Sequence, residues 1–255
     1  KHSLIQEIIY NSLSRERLME LHKLVGSCIE KVFADSISNF TELLSYQYYM
    51  AEDWVKAYEY SMKSAKKAKD TFLNKDALRF YDRALNSIRV SEQESRETQV
   101  KKAIETIKNK VEVMQLIGEN DPALAEIKKG LSIASKIGDK RSEADFLLLL
   151  SDVYGALSAY DKMLNSAKES YSIYQEIDDQ KGQTECLDNI GVVYDNLGNY
   201  GQAFDHYNQA LKIYAEINDR KGGAICLNNI GHLYNNLGNY DEALICYDKS
   251  LTILE

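Results

Sequence analysis

The chain has 255 residues, 44% of them hydrophobic and 27% charged, and a formal net charge of -8. Its single proline leaves long stretches free to run as helices, because proline lacks the amide donor and clashes with the preceding turn, so a turn-rich β-sandwich is disfavoured. No apolar run approaches the roughly 18 residues of a membrane span and no signal segment opens the chain, so we expect a soluble, cytoplasmic protein without membrane contact.

Residues 1–36 open the chain with two short amphipathic segments. Their spaced residues are His2, Leu4, Glu7, Tyr10, Leu13, Arg17, Leu21 and His22. The pattern resembles the segment that joins an ATPase module to its helical repeats in large bacterial signalling proteins, including adenylate and guanylate cyclases with an AAA-type or STAND-type ATPase. The resemblance implies that a nucleotide-binding domain precedes this linker. The alternative is that two amphipathic helices cap the end of a helical array.

Residues 37–92 contain an irregular helical pattern. Residues 53–60 and 74–85 both place alanines and tyrosines at helical spacing, as the second helix of the repeat described below does. Because these two stretches lie close together in the sequence, the helix at about residues 54–71 is predicted to serve two neighbours.

A forty-residue repeat governs residues 93–255. Residues 184–200 align with residues 224–240 almost letter for letter, and weaker copies precede them at steps of forty. Each copy carries an apolar stripe with the 3.6-residue period of a helix. Gly198 suits the left-handed position that follows a helix end. Each copy is therefore predicted to form a helix hairpin.

The spacing of small and aromatic residues within the repeat is specific. The first copy carries Leu187, Ile190, Gly191, Tyr194, Ala203, Tyr207 and Ala210, and the second carries Leu227, Ile230, Gly231, Tyr234, Ala243, Tyr247 and Ser250. This spacing resembles the tetratricopeptide repeat, while the forty-residue period is similar to the long-helix subclass of kinesin light chains, cell-polarity adaptors and bacterial peptide receptors. HEAT and armadillo arrays lack these landmarks. The resemblance implies an all-α, right-handed α-solenoid of about 13 helices, with Gly191, Tyr194, Ala203, Gly231, Tyr234 and Ala243 as packing residues.

Known catalytic signatures are absent from the sequence. It contains no phosphate loop, dinucleotide-binding glycine turn, H-E-x-x-H pair or nucleophile elbow. Cys28, Cys186, Cys226 and Cys246 form no C-x-x-C pair and lie within apolar helical patterns, so they are predicted to pack as small, reduced side chains. We expect no enzyme, no metal site and no cofactor.

The charge is unevenly distributed. Residues 141–255 carry eight Lys and Arg against eighteen Asp and Glu, a net charge of -10, while residues 1–140 carry +2. An acidic half repels phosphate backbones, so nucleic-acid binding is disfavoured. A basic stretch consists of Lys56, Lys63, Lys66, Lys67 and Lys69, which are predicted to form the solvated face of one helix.

The first helix of every unit lines the concave surface of a solenoid, so the register of the resembled family predicts a groove. Its residues are Asp145, Leu148, Leu149 and Asp152, then Glu185, Asp188, Asn189, Val192, Asp195 and Asn196, and then Ile225, Asn228, Asn229, His232, Asn235 and Asn236. Asn189 and Asn229 are equivalent, and a side-chain amide can bond both polar groups of an extended backbone. The carboxylates favour a basic partner. The alternatives are that the asparagines stitch adjacent repeats and that His232 is an ordinary solvated or packing histidine.

The sequence thus predicts a non-catalytic protein-interaction and regulatory region of a larger bacterial signalling protein, which binds a peptide segment of a partner. Because the chain opens on Lys1 and stops in an apolar run, we expect it to be a piece of that protein. Two alternatives stay open: a small-peptide receptor of a transcription regulator, and a passive scaffold or homo-oligomerisation module that uses the C-terminal repeat edge, Tyr240 to Leu254.

Overall fold

The computed structural model describes residues 10–91 and 93–254. In this part of the chain every regular element is helical, with twelve α-helices and one 3-10 helix in tandem antiparallel arrangement. The prediction of an all-α protein of about 13 helices is confirmed. The chain divides into two compact units, unit 1 (residues 1–119) and unit 2 (residues 120–255). The assignment of roles to segments 1–36, 37–92 and 93–255 stays a prediction.

Three helices of unit 1 begin after a short polar side chain. It contains α1 (Arg15–Val32), the 3-10 helix (Ala34–Asn39), α2 (Thr41–Met50), α3 (Trp54–Asp70), α4 (Asn74–Val90) and α5 (Arg96–Leu116). Ser14, Asp53 and Ser95 precede α1, α3 and α5, and the side chain of each accepts a hydrogen bond from the amide three residues later. These bonds satisfy donors that a helix start leaves open.

Helix α3 packs against two neighbours. Its first half contributes Ala57 and Tyr60 to a buried cluster with α2. Its second half contributes Ala65 and Ala68 to another cluster, with α4 and α5. The prediction that this helix serves both sides is confirmed, because it packs against α2 and against α4, with small residues at both contacts.

A polar network ties α1 to α2 and α3. Glu30 accepts hydrogen bonds from the hydroxyls of Tyr48 (2.6 Å) and Tyr60 (2.7 Å) and from Lys56 Nζ (2.6 Å). Burial alone would raise the pKa of Glu30, but these three donors outweigh it and lower the pKa. The carboxylate therefore stays charged as the centre of the network.

The basic stretch on α3 is only partly a solvated face. Lys63, Lys66 and Lys67 are exposed, as predicted. Lys56 instead reaches Glu30, and Lys69 Nζ lies 2.5 Å from Glu112. For these two lysines the prediction is wrong, since carboxylates on neighbouring helices lie within reach of their long side chains.

The histidine of the N-terminal pattern is a packing residue of unit 1. His22 is buried in α1, with Nε2 2.9 Å from the hydroxyl of Tyr10 and Nδ1 2.7 Å from Oε1 of Gln47. Both ring nitrogens therefore have partners. Three other members of the pattern, His2, Leu4 and Glu7, lie outside the described residues.

Unit 2 follows the forty-residue period helix by helix. It contains α6 (Asn120–Ile137), α7 (Lys140–Ala156), α8 (Tyr160–Glu176), α9 (Gln180–Asn196), α10 (Tyr200–Glu216), α11 (Arg220–Asn236) and α12 (Tyr240–Leu254). Helices α7 to α12 pair as three hairpins, and each hairpin begins forty residues after the one before. The predicted hairpins are confirmed.

Local signals set the helix boundaries in unit 2. Gly198 and Gly238 follow the first helices with φ of 74° and 78°, the left-handed conformation predicted for Gly198. Asp139, Asp179 and Asp219 precede α7, α9 and α11, and each accepts a bond of 2.9 to 3.2 Å from the amide three residues later. Every turn of the repeat is thus fixed by residues inside it.

The landmark residues of the repeat fill the hairpin interior. Gly191 faces the ring of Tyr207, where an added Cβ would lie 2.5 Å from the ring, and Gly231 faces Tyr247 in the same way at 2.6 Å. The remaining landmarks are the buried Ala203 and Ala243 and the half-buried Tyr194 and Tyr234. A side chain larger than hydrogen at either glycine would push the two helices of its hairpin apart.

Candidate binding cleft

A cleft of about 520 Å³ opens between the first helices of unit 2, α7, α9 and α11, with α10 behind them. Its walls are formed by Leu148, Asp152, Lys181, Glu185, Asp188, Asn189, Val192, Tyr214, Asp219, Lys221, Gly222, Ile225 and Asn229. Eight of these are predicted groove residues: Leu148, Asp152, Glu185, Asp188, Asn189, Val192, Ile225 and Asn229. They meet because the repeat presents equivalent faces of successive first helices side by side.

The other predicted groove residues lie on the same three helices but do not line the cleft. They are Asp145, Leu149, Asp195, Asn196, Asn228, His232, Asn235 and Asn236. Asp145 accepts a hydrogen bond of 2.6 Å from the hydroxyl of Tyr174. Asn228 and Asn235 are exposed on α11. The register therefore predicts more groove residues along these helices than the number that line the cleft.

Four carboxylates line the cleft together with Lys181 and Lys221, and the surroundings of three of these carboxylates disfavour negative charge. Burial raises the pKa of Asp152, Glu185 and Asp188, and that of Asp188 reaches about 6. Asp152 still meets solvent, so in its case the concave walls around the carboxylate rather than full enclosure cause the rise. At neutral pH the cleft holds poorly hydrated anions that an entering cation would stabilise.

The carboxylate of Asp188 is fixed on one side only. The hydroxyl of Tyr214 donates to its Oδ2 at 2.7 Å. Its Oδ1 is buried without a hydrogen-bond partner among the described residues. The nearby thiol of Cys226 donates instead to the carbonyl of Tyr207, at 3.1 Å. Asp188 thus keeps an oriented oxygen with unused accepting capacity.

The equivalent residues Asn189 and Asn229 have different surroundings. Asn189 Nδ2 donates to Asp152 Oδ1 at 2.6 Å and so joins α9 to α7. Val192 occupies the corresponding position for Asn229 and cannot accept a bond, and among the described residues the Asn229 amide has no hydrogen-bond partner. Asn189 therefore stitches two repeats, while Asn229 presents a free amide to the cleft.

A second group of polar residues joins α9 to α11 away from the cleft. Asp195 Oδ2 lies 3.0 Å from Nδ1 of His232, and Asn236 donates to Asp195 Oδ1 at 3.1 Å. Asn196, the equivalent of Asn236 one repeat earlier, accepts a hydrogen bond of 2.9 Å from the hydroxyl of Tyr160. His232 and both asparagines do not line the cleft, and inter-repeat bonds engage these side chains; their place in the groove stays a prediction.

The groove register missed five residues of the cleft. These are Lys181, Lys221 and Gly222 in the first turns of α9 and α11, Asp219 in the turn before α11, and Tyr214 of α10. A signal exists in the sequence: Gly222 follows Tyr214 by eight residues, as Gly182 follows Tyr174. A Cβ at Gly222 would lie 2.1 Å from the Tyr214 ring, so the glycine lets the tyrosine reach the cleft.

The cysteines and histidines form no ligand set. Within residues 10–91 and 93–254, no three or more His, Cys, Asp or Glu side chains are grouped to hold a metal ion. Cys186 and Cys226 are fully buried, and burial raises the pKa of both thiols, to about 12 for Cys186. They are packing residues. Cys28 is exposed on the outer face of α1, so the prediction of a packed side chain is wrong there.

The last helix of unit 2 exposes an apolar face. Leu244, Ile245 and Leu251 of α12 keep 59%, 53% and 58% of their surface accessible. In α10, one repeat earlier, the equivalents Phe204 and Leu211 pack against the core. None of the helices in the described residues has the length and apolar character that a membrane span requires.

Comparison with known proteins identifies the repeat. Residues 142–216 and 183–255 match the family model of the tetratricopeptide repeat, and both matches lie in unit 2. Residues 142–255 are therefore similar to tetratricopeptide repeats. No curated protein matches the chain.

Several solved structures share the fold. BtubC (BKLC) from P. vanneervenii is 15% identical with a TM-score of 0.63, covering 95% of this chain and 91% of that one. A Rap protein complexed with Competence and Sporulation Factor is 15% identical with a TM-score of 0.68, covering 98% and 75%. The Rap conjugation gene regulator of plasmid pLS20, in complex with a Phr peptide, is 14% identical with a TM-score of 0.67, covering 79% and 54%. At these identities the likeness is one of fold.

Proposed function

We propose that this chain is a non-catalytic binding module whose acidic cleft holds an extended, basic segment of a peptide or partner protein. The observation that carries the proposal is a cleft of about 520 Å³ lined by three carboxylates whose pKa is raised. Such groups are stabilised in their charged form when a cation takes the place of the missing water.

Asp188 is the main anchor for a basic side chain. Tyr214 orients its carboxylate through Oδ2, while Oδ1 is buried and has no hydrogen-bond partner among the described residues. A lysine or arginine of the ligand in the cleft is attracted to this carboxylate, and charge-assisted hydrogen bonds are stronger than neutral ones. Glu185, on the same helix one turn earlier, adds to the negative potential.

Asn229 supplies recognition that does not depend on ligand sequence. Its amide can donate to a carbonyl and accept from an N–H of an extended backbone. Val192 and Ile225 give the cleft an apolar wall for the remaining ligand surface. The peptide complex of the Rap conjugation gene regulator, which shares the fold, supports a peptide as the ligand class.

The setting of the module is also a proposal. The pattern of residues 1–22 supports a place in the cytoplasm, within a larger bacterial signalling protein, next to an ATPase or cyclase domain. Ligand binding in the cleft would then shift an equilibrium of that domain if the ligand prefers one of its states. In the alternative setting, a small-peptide receptor, the same cleft would bind a free peptide instead of a segment of a partner protein.

Fluorescence anisotropy of two labelled pentapeptides tests the cleft. The probes are Lys-Ala-Lys-Ala-Lys and Glu-Ala-Glu-Ala-Glu, each added to the wild-type chain, to Asp188→Asn and to Asp205→Asn. The last variant removes the same charge from an exposed site on α10. We expect only the lysine peptide to bind, with about fivefold weaker binding for Asp188→Asn and little change for Asp205→Asn. Equal losses in the two variants, or no binding of either peptide, would contradict the proposal.

Self-association is a second candidate, favoured by the exposed apolar face of α12. Light scattering over the micromolar range should then give a molecular mass that rises with concentration. Leu251→Glu should abolish the rise, because it places a charge in the contact. A mass that stays monomeric throughout rejects this candidate without affecting the cleft.

A further inference from the structure

We propose that unit 1 carries a carboxylate-binding site at Arg83, built from α2 and α4 and independent of the cleft. The guanidinium of Arg83 lies among aromatic side chains. Its central carbon is 5.5 Å from the ring centroid of Tyr49 and 5.7 Å from that of Phe80. Aromatic rings attract the cation through their faces but supply no hydrogen-bond acceptor in the plane of the guanidinium.

Arg83 has no acidic partner in the part of the chain that the structure describes. In residues 10–91 and 93–254, no carboxylate forms an ion pair with it, although it is half-buried. Burial, and then the charge of Arg79, lowers the pKa of Arg83. A guanidinium withdrawn from water is normally paired, because the charge loses hydration without compensation. The unpaired charge therefore marks a position where an anion would be stabilised.

Within the described residues Arg83 makes one hydrogen bond, and this bond determines which edge of its guanidinium remains available to a ligand. Nη1 donates to Oγ of Ser45 at 2.9 Å, and Ser45 is itself fixed by a 2.9 Å contact with Oγ of Ser61. Both serines are fully buried. With Nη1 engaged, Nε and Nη2 remain, and their N–H groups point in the same direction. This pair is the fork that binds the two oxygens of a carboxylate.

The neighbouring groups match a singly charged ligand. Asn86 donates to the hydroxyl of Tyr49 at 2.5 Å, which fixes that ring beside the guanidinium. Arg79 is exposed and already lies 3.3 Å from Asp76. The site thus offers a single uncompensated positive charge to a ligand. This charge neutralises one carboxylate but only half of the charge of a phosphate dianion. A free carboxylic acid and a glutamate or aspartate side chain of a partner share this chemistry.

Proton–nitrogen NMR of the arginine Nε–H groups tests the site directly. Arg83→Lys keeps the charge and removes the fork, so the resonance lost in this variant is that of Arg83. The wild-type chain is titrated with sodium acetate, with N-acetylglutamate amide and with sodium phosphate, against sodium chloride at equal ionic strength. Arg89, on the same helix and bonded to Asn86, is the internal control.

We expect the Arg83 resonance to move downfield and saturate at roughly millimolar acetate or N-acetylglutamate amide, while Arg89 does not. Tighter binding of the blocked glutamate identifies a protein side chain as the ligand, and binding of acetate alone identifies a free acid. Movement with phosphate but not with either carboxylate overturns the proposal, as does a shift no larger than that of Arg89. Thermal unfolding gives a second readout: acetate should raise the midpoint of the wild type above the chloride control but leave Arg83→Lys unchanged.

Discussion

Unit 1 and unit 2 are both made of antiparallel helices, yet they use polar side chains differently. In unit 1, Glu30 of α1 accepts hydrogen bonds from two tyrosine hydroxyls and a lysine of α2 and α3. Its charge therefore stabilises the packing of these helices. In unit 2, Asp188 and Glu185 stand on a face that recurs every forty residues and borders a cleft. A regular repeat brings equivalent polar positions to one open surface, whereas irregular helices use theirs against each other.

The largest expected effect is a loss of stability from a substitution that disrupts the packing within the repeat of unit 2. Gly222→Ala places a Cβ 2.1 Å from the ring of Tyr214, and overpacking of this kind costs about 1–3 kcal/mol. Urea unfolding followed by circular dichroism measures the loss. Gly201→Ala is the matched control, because no atom lies within 4 Å of its added Cβ. Equal stability of the two variants would contradict the packing account.

A smaller loss is expected from the polar network of unit 1. Glu30→Gln removes the charge that Lys56 pairs with and weakens the two tyrosine bonds, so we expect about 1–2 kcal/mol lower stability. The only tryptophan of the chain, Trp54, lies in α3 and reports unfolding of unit 1 by fluorescence. Glu20→Gln, on the exposed face of α1, should change stability by no more than about 0.5 kcal/mol.

The pKa of Asp188 makes peptide binding in unit 2 depend on pH. Because that pKa is about 6 in the folded chain, the anionic form is lost as pH falls from 7 to 5, and affinity for the lysine peptide should fall several-fold. Asp188→Asn should bind weakly with a flatter pH profile. The sign for stability is opposite: the folded pKa lies above the unfolded value of about 3.9, so the contribution of Asp188 to folding declines as pH rises from 4 to 6. A profile that is equally steep in both proteins would point to Glu185 or Asp152 instead.

The smallest effect separates the two equivalent asparagines. Asn229→Ala should weaken peptide binding about threefold and leave stability unchanged, because its amide has no partner inside the repeat. Asn189→Ala should lower stability by about 1 kcal/mol, because Asp152 loses its donor. Anisotropy and urea unfolding of both variants provide the comparison. The reverse pattern would assign the binding role to Asn189.

The fold could be read from the sequence where its causes are local. Gly198, the aspartates at 139, 179 and 219, and the helical spacing of apolar residues each act within a few positions, so hairpins and boundaries follow from them. The double role of α3 was also predictable, from the short spacing between residues 53–60 and 74–85. What local signals do not contain is the direction of each polar side chain on its helix.

The candidate site was predictable in outline and not in detail. The register identifies the first helices, and eight of their residues line the cleft. The difference between Asn189 and Asn229 depends on residues 37 positions earlier, Asp152 and Val192, which belong to the preceding repeat. Lys181 and Lys221 lie in the first turns of α9 and α11, and their place in the cleft depends on the neighbouring hairpins, which no single-helix pattern specifies.

The turns of unit 2 have a consequence for the size of the cleft. Each hairpin carries its own left-handed turn and its own aspartate cap, so a block such as residues 179–218 contains all the signals that start and stop its helices. A tandem copy of that block would add one first helix to the row and would need no new type of connection between hairpins. Ligand length would then be set by gene duplication, one block at a time, and a change of copy number would be enough to select a longer or shorter peptide.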